Sequence, residues 1–359
     1  MPRRANQLTG PSEQAAPAPA GPRASTLTSI AGEAGVSVST VSKVLNGRTD
    51  VSPATRERVS QLLRRHGHQP GSALAFGVVD LLLGLGGCLP QGNEYSPWAE
   101  QLIQGTVQAA AEAGHSVVVT PVGSADDFDR WLELAIVRGT HGALSLLQLP
   151  GGAELRQLAA AGIPVVVIDP AEEPGPDIRS VGTTNWQGGL TATRHLIGLG
   201  HRRIAAISGL PRLWSGRARL DGYRAAMLEA GLTVHERLVC HDGWTVAGGR
   251  RQAARLLTLA DRPTAIVTAN DEQAFGVLQA LRDAGLRAPE DLSVVGFDDG
   301  PVAAWAAPPL TTVSQPLAAM AATAFRMLRP SGSGSTAQAH HVELATSLVV
   351  RDSTAPPHG

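Results

Sequence analysis

The chain has 359 residues, of which 43% are hydrophobic and 17% are charged, and its formal net charge is −1. This length exceeds one average domain and allows substantial buried cores. No apolar run is long enough to span a membrane, the amino terminus lacks the apolar segment of an export signal, and the two cysteines are too few for a disulfide framework. The composition therefore predicts a cytoplasmic protein without a membrane partner.

The amino-terminal part differs from the rest in composition. Residues 1–24 mix Pro, Ala, Gln and Ser and are expected to form a disordered tail. Residues 1–70 carry nine basic and four acidic side chains, a net charge of +5, which leaves −6 for residues 71–359. This difference in net charge suggests an amino-terminal domain that binds nucleic acid, attached to an acidic remainder that would repel phosphate.

Two short helices separated by a glycine turn are predicted within residues 26–46. Gly35 ends the first helix because glycine adopts the left-handed conformation at little cost, and Ser37 has the position of an N-cap for the second. The inward positions at helical spacing are Leu27, Ile30, Ala31, Ala34, Val41, Val44 and Leu45. The outward face of the second helix has short hydroxyls, one lysine and no acid, which suits the major groove of DNA. A solvated helical hairpin that touches no nucleic acid is the alternative.

A third helix is expected after Ser52, which has the position of an N-cap, with Pro53 at the first helical position. Val59, Leu62 and Leu63 provide its inward stripe. Together the three helices form a small core, and residues 25–70 are predicted to be a helix-turn-helix DNA-binding domain.

The segment TLTSIAGEAGVSVSTVSKVLNGRTDVSPATRERV resembles the headpiece of the lactose-repressor/galactose-repressor (LacI/GalR) family of bacterial regulators. The resemblance implies that Val38, Ser39 and Lys43 read bases. It places phosphate contacts at Thr28, Ser37, Thr40, Asn46, Ser52 and Thr55. These regulators also carry a short hinge helix whose leucine enters the minor groove. Here the hinge, residues 71–75, is shortened, and Leu74 is the candidate for that leucine.

From residue 76 onward, apolar β-branched runs alternate with helical patterns. The expected strands are residues 76–84, 116–122, 142–149, 164–170, 203–210, 264–270, 292–299 and 342–350. Runs that are apolar on both faces and separated by helices predict parallel sheets covered on both sides. The expected fold is therefore a headpiece followed by an α/β core, residues 76–350, of two doubly wound parallel-sheet subdomains. Residues 331–339 form a flexible connector, and residues 351–359 a carboxyl-terminal tail.

Motifs of known enzyme classes do not occur in the core. The glycines near residue 86 lack both the third glycine and the acidic residue of a dinucleotide fingerprint, and there is no GxxxxGK[ST], HExxH, CxxC or GxSxG. The histidines are scattered. No catalytic residue, metal site or cofactor is therefore expected.

Polar side chains follow several of the predicted strands, at the edge where doubly wound sheets bind ligands. They are Asp169, Asn270, Asp271, Asp298 and Asp299, and Arg219 follows another strand by one loop. Such a set suits a polyhydroxylated ligand, because each hydroxyl both donates and accepts. For Asp271 and Asp299, capping of the next helix is the favoured alternative.

Five of the six tryptophans lie in or beside predicted connections. Trp98 and Trp244 are candidates for the walls of a saccharide pocket, because aromatic faces stack on the C–H faces of sugar rings. For Trp214 and Trp305, burial at a subunit interface is an equal alternative.

The family resemblance extends through the core, on motifs such as VVVIDP, SGRARLDGYRAA, TAIVTANDEQAFGVLQALRDAGL and LSVVGFDD. It implies a fold similar to periplasmic sugar-binding proteins, with chain crossings between subdomains near Asn185, Asp299 and Gln315. It places effector contacts at Asp169, Arg219, Trp244, Asn270 and Asp298. It also implies a homodimer in which each headpiece reads half of a near-palindromic operator.

The sequence thus predicts a DNA-binding transcriptional regulator, a repressor, that is controlled by a small molecule, a saccharide, bound between the core subdomains. Three alternatives stay open: control of the same regulator by a protein partner or a non-sugar metabolite, a solute-binding receptor, and a sugar-modifying enzyme.

Overall fold

The structure is a computed structural model that describes residues 27–45, 51–66, 77–84, 96–147, 151–328 and 340–358. The chain divides into two compact units, Met1–Ala75 and Phe76–Gly359. The predicted tail at residues 1–24, the hinge at 71–75 and the connector at 331–339 lie outside the described residues.

The first unit contains three helices, α1 (Leu27–Ala34), α2 (Val38–Leu45) and α3 (Pro53–Arg65). Gly35 joins α1 to α2 at a φ of +62°, a left-handed conformation that favours glycine. The side chains of Ile30, Val41, Val59 and Leu63 are fully buried between the helices. The predicted three-helix headpiece is confirmed.

The first subdomain of the second unit has a six-stranded, wholly parallel sheet in the order β11-β5-β4-β3-β1-β2. Its elements are β1 (Val78–Gly84), α4 (Pro97–Glu112), β2 (Ser116–Val122), α5 (Ala125–Arg138), β3 (Gly142–Leu146), α6 (Gly152–Ala161), β4 (Val165–Ile168), β5 (Ser180–Thr183), α11 (Leu317–Met327) and β11 (His341–Leu344). Leu81 and Leu83 point to the face covered by α4 and α11, whereas Leu82 points to the face covered by α5 and α6. Burial of both faces explains why β1 is apolar except at Asp80, whose buried carboxylate accepts from Arg138 and Thr140.

The second subdomain repeats this arrangement with strand order β12-β10-β9-β8-β6-β7, in which β12 is antiparallel to β10. Its elements are α7 (Asn185–Gly198), β6 (Ile204–Ser208), α8 (Trp214–Glu229), β7 (Val239–His241), α9 (Val246–Leu257), β8 (Ala265–Thr268), α10 (Asp271–Asp283), β9 (Ser293–Asp298), β10 (Thr311–Ser314) and β12 (Ser347–Val349). One face packs against α7 and α8, and the other against α9 and α10. Two α/β subdomains are therefore confirmed.

The carboxyl-terminal strand differs from its prediction. The single strand expected at residues 342–350 is two strands, β11 in the first sheet and β12 in the second. The chain passes between the subdomains here, as it does between β5 and α7 and between β10 and α11. The crossing expected near Asp299 is wrong, because the chain after β9 returns to β10 in the same sheet. Asp299 is held in this subdomain by Arg351, whose Nη2 donates to Oδ1 over 2.7 Å.

The residues after β12 are bound to the second sheet. Ser353 is fully buried, its Oγ donates to the carbonyl of Val294 over 2.6 Å, and it accepts from the amide of Thr311 over 2.8 Å. Among the described helices, none is both long and apolar enough to cross a membrane.

Candidate functional site

A cavity of about 550 Å³ lies between the two subdomains of the core. It is lined by all six side chains that the sequence analysis assigned to the effector: Trp98, Asp169, Arg219, Trp244, Asn270 and Asp298. Trp98 lies on α4 and Asp169 follows β4, so the first subdomain contributes both, while the other four belong to the second. A ligand in this cavity would contact both subdomains.

The strand ends at the cavity have an unusual backbone conformation. Leu147, Asp169, Asp298 and Asp299 have φ angles of +63°, +49°, +114° and +56°. Each such non-glycine conformation costs on the order of 1–3 kcal/mol and persists only where the surrounding structure holds it. The first three line the cavity. The fold thus accepts backbone strain at the positions that turn these side chains toward the cleft.

Arg219 is the buried cation of the cavity, with 6% of its surface exposed. Its Nε donates to Asn185 Oδ1 over 2.8 Å, Nη1 donates to the carbonyl of Ala269, and Nη1 lies 3.6 Å from Asp298 Oδ1. Its Cζ lies 3.7 Å from the ring centroid of Phe297, which supports the guanidinium plane from below. Arg219 is therefore fixed before any ligand binds.

The carboxylates around Arg219 are buried, and burial disfavours their charged forms. Burial raises the pKa of Asp298 to about 7, although the nearby Arg219 acts in the opposite direction. Burial also raises the pKa of Asp169, again opposed by Arg219. A hydroxyl of a ligand would meet in Asp298 a carboxyl group that can donate or accept a hydrogen bond near neutral pH.

Asn270 has a structural use besides the predicted one. Its Oδ1 accepts from the amide of Gln273 over 3.0 Å, so Asn270 is the N-cap of α10, and its Nδ2 donates to the carbonyl of Trp244 over 3.2 Å. The expectation that Asp271 caps this helix is wrong, since its carboxylate accepts from Thr312 Oγ1 and the amide of Gly300. Asp299 is bound to Arg351 instead of capping a helix.

Trp244 is placed by two glycines. A Cβ at Gly209 would collide with the indole ring, and one at Gly216 would lie 3.2 Å from Cζ2. The Nε1 atom of Trp244 is buried and has no hydrogen-bond partner among the described residues. Buried donors are rarely left unpaired, so this one is available to a ligand or to water.

Several cavity residues were not singled out from the sequence. Asp242 accepts from Arg251 at both oxygens, over 2.6 and 3.1 Å, and Glu272 lines the cavity with a buried, unpartnered Oε2 among the described residues. The two members of the Asp242–Arg251 pair belong to no recognisable motif. Glu272 follows Asn270 by two residues, and its place in the first turn after a strand is a signal that could have identified it.

Trp214 and Trp305, for which a subunit interface was the alternative, do not line this cavity. Trp305 lies in the second subdomain and is 89% exposed. Its burial at a subunit interface stays a prediction. Trp214 begins α8, and its ring centroid lies 6.0 Å from that of His341.

The headpiece residues assigned to DNA are partly described. Val38 is 43% exposed at the start of α2. The Oγ of Ser37 accepts from the amide of Thr40 over 3.2 Å, and the Oγ of Ser52 accepts from the amide of Thr55 over 3.3 Å, so both serines begin helices. Thr28, Ser39 and Lys43 belong to α1 and α2, but their side chains lie outside the described part, as do Asn46 and Leu74 altogether.

Within the described residues, no group of three or more His, Cys, Asp or Glu side chains is arranged to hold a metal ion.

Two family profiles match the chain. The profile of bacterial regulatory proteins of the lacI family matches residues 26–71, and that of the periplasmic binding protein-like domain matches residues 193–354. The HTH-type transcriptional regulator CelR of Thermobifida fusca is 35% identical over 336 residues, which cover 92% of this chain and 98% of the relative. The chain belongs to the LacI family of bacterial transcriptional regulators.

Solved structures agree with this assignment. A CelR–cellobiose complex matches this LacI-family regulator with a TM-score of 0.68 and 34% identity, covering 92% of this chain and 99% of that one. A lac repressor dimer bound to operator and the anti-inducer ONPF matches with a TM-score of 0.68 and 26% identity over 93% of this chain and 100% of that one. The family and the fold predicted from the sequence are confirmed.

Proposed function

We propose that this LacI-family regulator is a repressor whose affinity for operator DNA is controlled by a saccharide bound between the core subdomains. The observation that carries the proposal is the cavity itself, where a fixed guanidinium, three strand-end polar groups and two tryptophans from both subdomains meet. Directional hydrogen-bonding groups between aromatic walls suit a sugar, whose hydroxyls lie around the ring and whose C–H groups lie on its faces.

The size of the cavity favours more than one sugar ring. A volume of about 550 Å³ equals roughly 18 water molecules at about 30 Å³ each. One hexose would leave part of this space unfilled. A disaccharide, the kind of ligand named for the CelR complex, would fill it better and would reach both subdomains.

Control of DNA binding requires that the ligand prefers one arrangement of the subdomains. Switching a population from mostly bound to mostly released takes about 5.5 kcal/mol of preference. Hydrogen bonds to charged groups contribute about 1.5–3 kcal/mol each, so a few that form only in the closed cleft are sufficient. Arg219, Asp169 and Asp298 are the residues we assign to these bonds.

On DNA, we assign Val38, Ser39 and Lys43 to base reading in the major groove, and Thr28, Ser37, Thr40, Asn46, Ser52 and Thr55 to phosphate contacts. The protein would act as a homodimer on a near-palindromic site, in keeping with the dimeric lac repressor complex. This function places the protein in the cytoplasm, where the DNA is, and it involves no catalysis.

A calorimetric screen of mono- and disaccharides, followed by DNA binding with and without the sugar that binds, tests the proposal. A sugar that binds the core and changes affinity for a fragment of the protein's own promoter supports it. Control by a protein partner or a non-sugar metabolite predicts that no sugar binds while the promoter fragment is still bound.

A further inference from the structure

Glu272 is a cavity residue whose Oε2 atom has no hydrogen-bond partner among the described residues. It is the second residue of α10, two positions after the N-cap Asn270, and it lines the cleft between the subdomains. Its Oε2 is buried, and no described residue donates a hydrogen bond to that atom. Burial raises the pKa of Glu272. The cavity therefore contains a carboxylate oxygen that the described part of the chain leaves without a donor.

The other charges of the cavity are already engaged. The described lining contains four carboxylates, of Asp169, Asp242, Glu272 and Asp298, and two guanidiniums, of Arg219 and Arg251. Arg251 is held by both oxygens of Asp242. Arg219 lies beside Asp298, and its charge also opposes the rise in the pKa of Asp169. Among the described residues of the lining, neither cation pairs with Glu272.

The chemistry of a buried carboxylate decides which ligand group suits it. A neutral hydroxyl supplies a hydrogen bond but no charge, whereas an ammonium supplies both. A phosphate or carboxylate on the ligand would repel the Glu272 carboxylate, because like charges disfavour each other. The partial positive charge at the start of α10 favours the Glu272 carboxylate only weakly, because no N–H donates to Oε2.

We propose that the effector carries a protonated amine and that Glu272 binds it, with an amino sugar as the ligand class. This inference rests on the proposed function, since it identifies the ligand of the same cavity. Glu272 is then a specificity-determining residue: its carboxylate accepts from the ammonium, while Arg219, Asp169 and Asp298 bind the hydroxyls.

Isothermal calorimetry at neutral pH with matched sugars tests this directly. The probes are glucose, galactose and cellobiose, their amine-bearing counterparts glucosamine, galactosamine and the β-linked glucosamine disaccharide, and the N-acetyl derivatives of these amines. We expect at least one amine to bind about tenfold or more tightly than both its neutral parent and its N-acetyl derivative. The N-acetyl comparison needs no variant, because acetylation removes the charge and keeps the ring.

The variant Glu272→Gln keeps the shape of the side chain and removes its charge. We expect it to reduce the preference for the amine to within about threefold while affinity for the neutral parent stays within about threefold. Glu133→Gln, at an exposed position of α5, is the matched control and should leave both affinities unchanged.

Three outcomes overturn the inference: no amine binds, the neutral parent binds as tightly as its amine, or the preference persists in Glu272→Gln. The first two outcomes also separate the failure of this inference from the failure of the proposed function. Tight binding of a neutral sugar would refute the amine preference and keep a saccharide regulator, whereas an absence of binding by any sugar would refute both.

Discussion

Arg219 Nη1 and Asp298 Oδ1 lie 3.6 Å apart in the cleft, with the two side chains only 7% and 12% exposed. Arg219 is fixed from below by the ring of Phe297 and from the side by Asn185, and Asp298 Oδ1 accepts from Gln315 Nε2 over 2.6 Å. Because both side chains are held in place without a ligand, an effector would bind to a site that is already organised. Such preorganisation lowers the entropy lost on binding.

Replacing Arg219 by lysine keeps the buried cation but removes the planar fork that bonds Asn185 and Ala269. We expect Arg219→Lys to bind promoter DNA normally and to lose at least about tenfold in affinity for the effector. Calorimetry for the effector and fluorescence anisotropy for DNA measure the two effects. Arg217→Lys is the control, since Arg217 is exposed on the same helix. Loss of DNA binding in Arg219→Lys would instead assign this residue a structural role.

The stability of the core should depend on the protonation of Asp298. Burial raises its pKa to about 7 in the folded state, against about 3.9 for an unfolded aspartate. The folded protein therefore binds this proton more tightly than the unfolded chain does. The contribution of Asp298 to the unfolding free energy is fully present below about pH 4 and is lost as the pH rises to about 7. Relative to Asp298→Asn, the wild type should lose up to about 1.4 kcal/mol of unfolding free energy per pH unit in this window. Urea denaturation across the window measures it, and parallel pH profiles for the two proteins would refute the expectation.

The close crossing of α7 and α8 should be essential to the position of Arg219. A Cβ at Gly189 would collide with the backbone carbonyl of Arg219, so the helices approach closely only because residue 189 is glycine. We expect Gly189→Ala to lower the unfolding free energy by about 1–3 kcal/mol and to weaken effector binding. Gly198→Ala is a matched control on the same helix, because a Cβ there meets no atom within 4 Å. Urea denaturation and calorimetry compare the two variants, and equal stability would contradict the tight crossing.

On the DNA side, Lys43→Ala should reduce affinity for the operator by about 1–3 kcal/mol and affinity for random DNA much less, if Lys43 contacts a base. Anisotropy titrations with both duplexes at one salt concentration measure the difference. An equal loss on both would place Lys43 at the phosphates.

The sequence predicted those strands that are apolar on both faces, because burial on two sides leaves a continuous hydrophobic run. It missed β5, β7 and β10, whose sequences SVGT, VCH and TTVS contain polar residues or glycine, whereas the equally short β4 and β8 begin with the apolar runs VVVI and AIV. It also joined β11 to β12, since nothing in a run of alternating residues marks Ala345 and Thr346 as a crossing between sheets.

For the site, three strand-end polar residues, an arginine one loop after a strand and two tryptophans in connections, read together with the family resemblance, gave six side chains that share one cavity. Their partners were not predictable, because they depend on tertiary contacts. Asn270 caps its own helix, Asp271 binds the loop at Gly300, and Glu272 remains unpartnered among the described residues. These three neighbours in the chain have three different environments, which the sequence does not distinguish.

The most direct test of a ligand-controlled regulator is the affinity of the purified full-length chain for a duplex from its own promoter, measured with and without a saturating sugar that binds the core. We expect specific binding near 0.15 M salt and a change in affinity of at least about tenfold on addition of the sugar. A chain that binds the promoter no better than random DNA, or whose affinity is the same with the cleft empty and occupied, would contradict the account.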